Sequence, residues 1–523
     1  MTRVPDHTPI LIGVGQASER ICTPSYRQRS PTDLTADAAR AACDDALGLA
    51  RLAPLIDTVF AVRTSADSAL SPLREQRAPF GSPNNVPRAV ARRIGSDPLR
   101  AIYSPACGDE PQRLVGEACE RLANGEFKLV LLCGGEAIST TRAAVKAGQS
   151  LDWTDTVPGP LEDRRGNVGV LRTPHMTAHQ MRLPPSIYPL LEHARRRRLG
   201  LSRPTYAQTM GALMAPFSKV AAGNPHAASR KVWRAQDIAE VGPGNRMVAD
   251  PHPIAVVARD NVNQAAALLL STVGNARALG VPESNWVYLH GYSAVDERMV
   301  LDRQDLGASP AMALAYAQAL AAAGCDVASI RYFDLYSCFP IAVFAALDVL
   351  GLPPDDPRGF TLTGGLPYFG GPGNNMSMHA IAELAQRLRA DPGALGLIGA
   401  NGGLLSSHAV GLYSTTPKAW QSCDSRAQQA QIDALPAPAF TETPEGQASV
   451  ETYTVLHDRD GAPTQAILIG RLTRTGQRCI ALSEPGDVAT LSAFSQGEPF
   501  NLPVWVGPGQ GHNQFSLSPL APG

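Results

Sequence analysis

Short apolar runs alternate with alanine-rich helical patterns in both halves of this 523-residue chain, and that alternation constrains its fold more than any other feature. Pro9-Ile10-Leu11-Ile12-Gly13-Val14-Gly15, Val59–Val62 and Leu129–Gly135 read as buried strands, two of them closing in glycine. Ser30-Pro31 ahead of Leu34–Leu49, and Ser309-Pro310 ahead of Ala311–Ala323, read as helices opened by an N-cap and a first-turn proline. Val287–Gly291, Ile330–Leu335 and Leu395–Gly399 supply strands to the second half, and Met376–Leu388 a helix. Strands that alternate with helices in this way form doubly wound α/β lobes, here two of them.

Two segments break the pattern. Residues 146–245 are rich in proline, arginine and methionine, and an insertion of that kind in such a fold is expected to cap the site. From about residue 421 the chain reads as Ala448–Leu456, Thr464–Leu472, Arg478–Leu482 and Val504–Val506, parted by Asp460-Gly461, Thr475-Gly476 and Pro485-Gly486. Short strands at that spacing predict a small antiparallel, OB-like barrel, with the polar tail after Gly507 left loose. The division is therefore a first lobe over 1–145, a cap over 146–245, a second lobe over 246–420 and a barrel over 421–523.

Charge and cysteine usage narrow the class. A formal net charge of -1 gives no global attraction to nucleic acid or an anionic membrane. The run Arg195-Arg196-Arg197-Arg198 reads as a solvated helix face, with a phosphate or coenzyme A contact as the alternative. Nine cysteines (Cys22, Cys43, Cys107, Cys119, Cys133, Cys325, Cys338, Cys423 and Cys479) form no close pairs, which argues against a disulfide framework and a zinc site. Met1–His7 has no apolar signal-peptide core and no run has the length of a membrane helix, so a reducing cytoplasm is expected.

Cys107 is the candidate nucleophile. It stands in Ala106-Cys107-Gly108-Asp109-Glu110-Pro111-Gln112, just ahead of the helical pattern Leu114-Val115-Ala118-Cys119-Leu122. A helix N-terminus favours thiolate over thiol, whereas a lone cysteine before a helix is otherwise a small buried hydrophobe.

Several ordered motifs resemble those of thiolases. Cys107-Gly108 with Pro111-Gln112, then Ala123-Asn124-Gly125-Glu126 and Leu131–Ala137, resembles the nucleophile loop, helix and following strand of that family. Asn245–Pro251 and Asn263–Leu268 are similar to the stretch leading into its second half. Asp334–Phe339, Gly364–Asn375 and Ala400-Asn401-Gly402-Gly403 resemble its active-site loops. The match covers about residues 8–415 and implies a thiolase fold, layered α/β/α/β/α. The sterol-carrier-protein-2 thiolases and thiolase-like proteins of type 1, which carry an extra C-terminal β-barrel, are the most similar in pattern.

What the resemblance implies for chemistry is selective loss. Cys107 matches the nucleophile, but Gly371 stands where the activating histidine of a Gly-His-Pro loop belongs, and Ala400 where the second acid/base cysteine belongs. The oxyanion loop reads Tyr336-Ser337-Cys338-Phe339, so a phenol replaces the usual donor; such a donor is worth about 2.7–4 kcal/mol in other enzymes. Asn374, Asn375, Asn401 and Gly402 complete the implied substrate-binding loops. Each missing base normally contributes about 10²–10⁴-fold, so ordinary thiolysis and condensation are not expected. His408 and His379 are the substitute bases to weigh against roles as a packed loop residue and a helix-face residue; His252 and His290 read as structural.

Other motifs are thin. Gly13-Val14-Gly15-Gln16 lacks the remainder of a dinucleotide fingerprint. The barrel offers Tyr453, Phe494, Phe500, Trp505 and Phe515 with only Arg459, Arg471, Arg474 and Arg478, too few cations for a single-strand groove. Docking on the lobes, or on a protein partner, fits it better.

Two function classes follow. One is an acyl-CoA-dependent, acetyl-CoA acetyltransferase-like enzyme of lipid metabolism, which loads an acyl group on Cys107 and passes it to an acceptor. The other is an inactive acyl-CoA-binding or scaffold protein that keeps the fold. No bound cofactor is expected, coenzyme A thioester being the substrate, and neither nucleic acid nor membrane insertion; a monomer or a dimer fits equally.

Overall fold

The strand Pro9–Glu19 and the helix Pro31–Ala46 set the spacing of the first half. Ser30 caps the helix by accepting the Asp33 amide at 3.0 Å. A Cβ on Gly13 or Gly15 would overlap the carbonyls of Ala42 or Ala38, so these glycines admit helix against strand rather than a dinucleotide. The computed structural model describes residues 4–68, 76–165 and 171–520.

The first half's strands stand in the order Arg100–Tyr103, Thr58–Ala61, Leu129–Ala137, Asn263–Thr272 and Pro9–Glu19, with Asn263–Thr272 antiparallel to both neighbours. The short strand Glu162–Asp163 extends the edge beside Arg100–Tyr103. The second half repeats the scheme as Ile330–Leu335, Leu395–Gly402, Ser407–Ser414 and Val287–Asp296, with Ser407–Ser414 antiparallel on both sides. Where the first half has Arg100–Tyr103, the second has a single bond from Leu335 N–H to Phe360 O at 3.0 Å. The halves join through their first strands, where Ile10 and Leu11 pair with Tyr288 and Val287.

Apolar periodicity then stacks the layers. Leu114, Val115, Ala118 and Leu122 of helix Glu110–Ala123 and Met378, Ile381, Leu384 and Ala385 of helix Met376–Ala390 share one core with Phe60, Val130, Leu132, Ile398 and Tyr413 of the sheets. These two central helices lie between the sheets. Pro31–Ala46 and Val86–Ile94 cover the outer face of the first. Pro310–Ala323 and Pro340–Leu350 cover that of the second. The thiolase-type layering expected from the sequence is the fold of this chain.

The topology redraws one boundary. Asn263–Thr272, which the sequence division gave to the second lobe, is an inner strand of the first half's sheet, so the segment 146–245 interrupts the first half before its last strand. That segment contributes the helices Pro184–Arg198 and Arg203–Gly223, whose buried faces join the second half's core.

Five strands, Gly446–His457, Pro463–Leu472, Arg478–Ser483, Pro503–Pro508 and Asn513–Ser516, close a barrel. Numbered along the chain, they run 1-2-3-5-4-1, with helix Val488–Gln496 between the third and fourth. That is the predicted OB-like arrangement. The tail after Gly507 is not loose: Asn513–Ser516 is the closing strand, and Phe515 is fully buried in the barrel core.

Only half of the arginine run is a solvated face: Arg197 and Arg198 are exposed, Arg195 and Arg196 buried. Arg195 makes a fork to Asp348 at 2.7 and 2.9 Å. Arg196, 1% exposed, donates to His193 Nδ1, Glu498 and Tyr453 Oη at 3.1, 2.8 and 3.2 Å. Arg197 reaches the Val450 carbonyl at 2.7 Å, and Arg198 reaches Asp348 at 2.7 Å. From the barrel side Arg478 donates to the carbonyls of Leu301 and Arg303, both at 2.6 Å, and forks to Glu451. The barrel is thereby docked on its own chain. Among the described residues no helix is long and apolar enough to cross a membrane.

Candidate functional site

Cys107 lies in the loop between strand Arg100–Tyr103 and helix Glu110–Ala123, at the carboxyl end of a parallel strand. Loops from the second half close over it. Ser377, near the start of helix Met376–Ala390, donates to the Gly108 carbonyl at 2.9 Å. A Cβ on Gly108 would lie 2.6 Å from the Asn401 carbonyl and 2.7 Å from Tyr336 Oη. A Cβ on Gly402 would overlap Cys107 Sγ and stand 2.9 Å from Asp109 Oδ1. Cys107, Tyr336, Asn401 and Gly402, from both halves, thus meet, and glycine at 108 and 402 is what lets them do so.

The electrostatics oppose ionisation of the thiol. Burial pushes the Cys107 pKa well above its ordinary value, the neighbouring Asp109 carboxylate raises it further, and Arg113 only partly offsets this. The helix N-terminus was expected to lower it; desolvation and a like charge outweigh the dipole. Asp109 stays ionised despite burial because Arg113 holds it at 2.6 Å and Ser407 donates to it at 2.7 Å. Glu110, buried beside Asp109, is raised to about 8.

The remaining candidates are placed elsewhere. Ser407 reaches Asp109, so His408, next along the same strand, faces the opposite side of the sheet, where its Nε2 meets Ser309 Oγ at 3.0 Å. Burial lowers its pKa to about 4. His379 is buried on its helix with Nδ1 against Gln16 Oε1 at 2.6 Å and its ring edge-on to Phe369. Asn374 and Asn375 tie their loop to the first half, donating to the carbonyls of Arg63 and Gly134 at 2.8 and 2.7 Å. Gly371 donates to the Arg259 carbonyl at 2.8 Å, and Ala400 is buried in its strand opposite Ala409. His252 bonds Glu192 at 2.9 Å and His290 the Thr416 carbonyl at 2.8 Å, as structural residues do.

Asp109, Arg113, Ser377 and Ser407 were not singled out from the sequence. The i,i+4 spacing of Asp109 and Arg113 was a visible signal for their ion pair. Nothing local marked Ser377 or Ser407, which act on the site from the other half of the chain.

Layering, the paired halves and the Cys107 loop define a thiolase-fold protein. Two thiolase-superfamily structures share the fold at low identity: the acetyl-CoA acetyltransferase of Syntrophomonas wolfei is 15% identical over 78% of this chain and 99% of its own, with a TM-score of 0.52. The dimeric peroxisomal thiolase of Saccharomyces cerevisiae is 13% identical over 79% and 98%, with a TM-score of 0.54. The monomeric SCP2-thiolase like protein type 1 of Mycobacterium smegmatis is 40% identical over 98% of this chain and 100% of that one, with a TM-score of 0.83. Residues 428–510 match the thiolase-like protein type 1 additional C-terminal domain. The chain belongs to the SCP2-thiolase-like type 1 family. No curated protein matches it.

Proposed function

We propose that this protein binds acyl-CoA thioesters on a thiolase scaffold without catalysing thiolysis or condensation. The observation that carries the proposal is the environment of Cys107, a half-buried thiol whose desolvation and neighbouring ionised Asp109 carboxylate both oppose its ionisation. An activated cysteine needs a base or a cation at the sulfur. Here glycine and alanine occupy the family's base positions at 371 and 400, and His408 is turned to Ser309.

A second reading, acyl transfer through Cys107, draws on the convergence of Cys107, Tyr336 and Asn401. In it the thiol loses its proton, attacks the thioester carbonyl and displaces coenzyme A, with the Tyr336 hydroxyl donating to the developing oxyanion. Intact-mass measurement after incubation with a panel of acyl-CoAs, paired with calorimetric titration of coenzyme A, separates the two. Binding without a mass adduct supports the binding protein. An adduct abolished by Cys107→Ser supports the transferase. Neither binding nor adduct leaves the family defining a fold alone, and thiolysis of acetoacetyl-CoA near 10 s⁻¹, a typical enzyme turnover, overturns the proposal.

A further inference from the structure

A cleft of about 340 Å³ opens at the carboxyl ends of strands Thr58–Ala61 and Leu129–Ala137, where helix Pro31–Ala46 begins. Cys107, Tyr336, Ala400 and Asn401 are not among its lining residues. Val62, Val86, Ile138 and Trp153 give it apolar walls, and Trp153 is fixed edge-on against Phe80 with ring centroids 5.2 Å apart. Its size and mainly apolar lining suit a small organic molecule, and the carboxyl ends of parallel strands are where α/β sheets bind ligands.

Glu136 lines this cleft while only 4% exposed. One of its oxygens accepts the Ser65 amide at 2.6 Å; the other, Oε2, has no hydrogen bond among the described residues. Gly373, held at φ +56, leaves the carboxylate room that a Cβ there would fill. Among the described residues neither arginine of the lining pairs with it: Arg142 forks to Asp260 at 2.7 and 2.9 Å, and Arg77 donates to the Ser65 carbonyl at 3.5 Å. A carboxylate in a mainly apolar cleft, with one oxygen left open to it and no ion pair among the described residues, is a ready acceptor for a charged donor.

We propose that this cleft is a second ligand site, distinct from the Cys107 centre, which takes a small apolar amine as its ammonium, with the cation on Glu136 and the hydrocarbon against Val62, Ile138 and Trp153. Burial raises the Glu136 pKa to about 7, with the Asp67 and Asp260 carboxylates of the same cleft adding to the shift, so the free carboxylate forms as pH rises through neutrality, where alkylamines remain protonated. Binding therefore strengthens from pH 6 to pH 8.

The test is calorimetric titration of the full chain with cyclohexylamine, cyclohexanol and cyclohexanecarboxylate. Cyclohexylamine is expected to bind at least tenfold more tightly than the alcohol, with the carboxylate weakest. Glu136→Gln should cost the amine tenfold or more, leave the alcohol unchanged and remove the pH dependence. Thr141→Trp, which fills the rim, should block both. Equal affinity for the three probes, no binding at all, or amine binding unaltered in Thr141→Trp overturns the site. If Glu136→Gln does not fold, the ranking of probes and Thr141→Trp still decide. Cys107→Ser should leave amine binding unchanged, so the outcome is independent of the acyl-CoA reading.

Discussion

Two buried polar centres in this molecule are built in opposite ways. At the seam between barrel and scaffold two buried cations are answered: Arg478 has the Glu451 carboxylate and the carbonyls of Leu301 and Arg303, and Arg196 has Glu498, His193 and Tyr453. At Cys107 the ionisable sulfur faces a carboxylate that already has its own cation, Arg113. The contrast shows that the added C-terminal domain is secured by satisfied charge, whereas the Cys107 thiol has no cation of its own. Buried charge is stable only where its partners are complete.

The largest expected effect breaks the first centre. Arg478→Ala leaves the partly buried Glu451 with Arg471 as its one remaining ionic partner among the described residues and frees two carbonyls at the seam. Denaturant unfolding should show a loss of about 3–5 kcal/mol. A loss no larger than that of an exposed Arg426→Ala control would mean that the seam is not held by charge.

The next effect measures the second centre. Only a thiolate alkylates, and Cys107 is held protonated, whereas Cys22 is exposed. Iodoacetamide at pH 7.5, followed by peptide mapping, should label Cys22 faster than native Cys107 on the order of 100-fold or more. Labelling of Cys107 first would show that the helix N-terminus, not Asp109 and burial, controls the sulfur.

The sequence made the scaffold readable because its strands and helices are strongly patterned: Leu129–Ala137 and Pro310–Ala323 were legible from period and caps alone. What escaped it depended on distant partners. Arg195 and Arg196 read as a solvated face because the carboxylates that receive them, Asp348 and Glu498, are far along the chain. Asn513–Ser516 presents mostly polar residues and needs the barrel to turn Phe515 inward. For the site, the loops that meet, carrying Cys107, Tyr336, Asn401 and Gly402, were legible as motifs. The protonated state of Cys107 was not, because it depends on burial and on Ser407 and Arg113 fixing Asp109 beside the sulfur.

Gly402→Ala probes how closely the halves meet at Cys107. The new methyl would press on Sγ and on the Gly108 amide, 2.7 Å away; the amide is backbone and cannot turn aside. Overpacking of this kind costs about 1–3 kcal/mol. A thermal midpoint unchanged from that of the parent protein would mean that the loops are looser than this contact implies.

The smallest effect, and the one that sharpens the contrast most, is gained by returning a base. At Gly371 a Cβ would meet nothing closer than Leu366 Cδ2 at 3.2 Å and the Arg259 carbonyl at 3.6 Å, and the backbone is not left-handed there, so the backbone admits a side chain at 371. In the family pattern this is the position of the histidine that activates the cysteine. An imidazole there would take the thiol proton and offset part of the Asp109 charge, so Cys107 alkylation should rise about tenfold at pH 7.5, since even partial relief of one pKa unit changes the thiolate fraction by that factor. The gain should disappear below about pH 6, where histidine itself binds a proton and no longer accepts one. A folded Gly371→His protein whose Cys107 labels at the parent rate would show that the loop around residue 371 does not address the sulfur, so that its position as well as its side chain would have to change to activate the thiol.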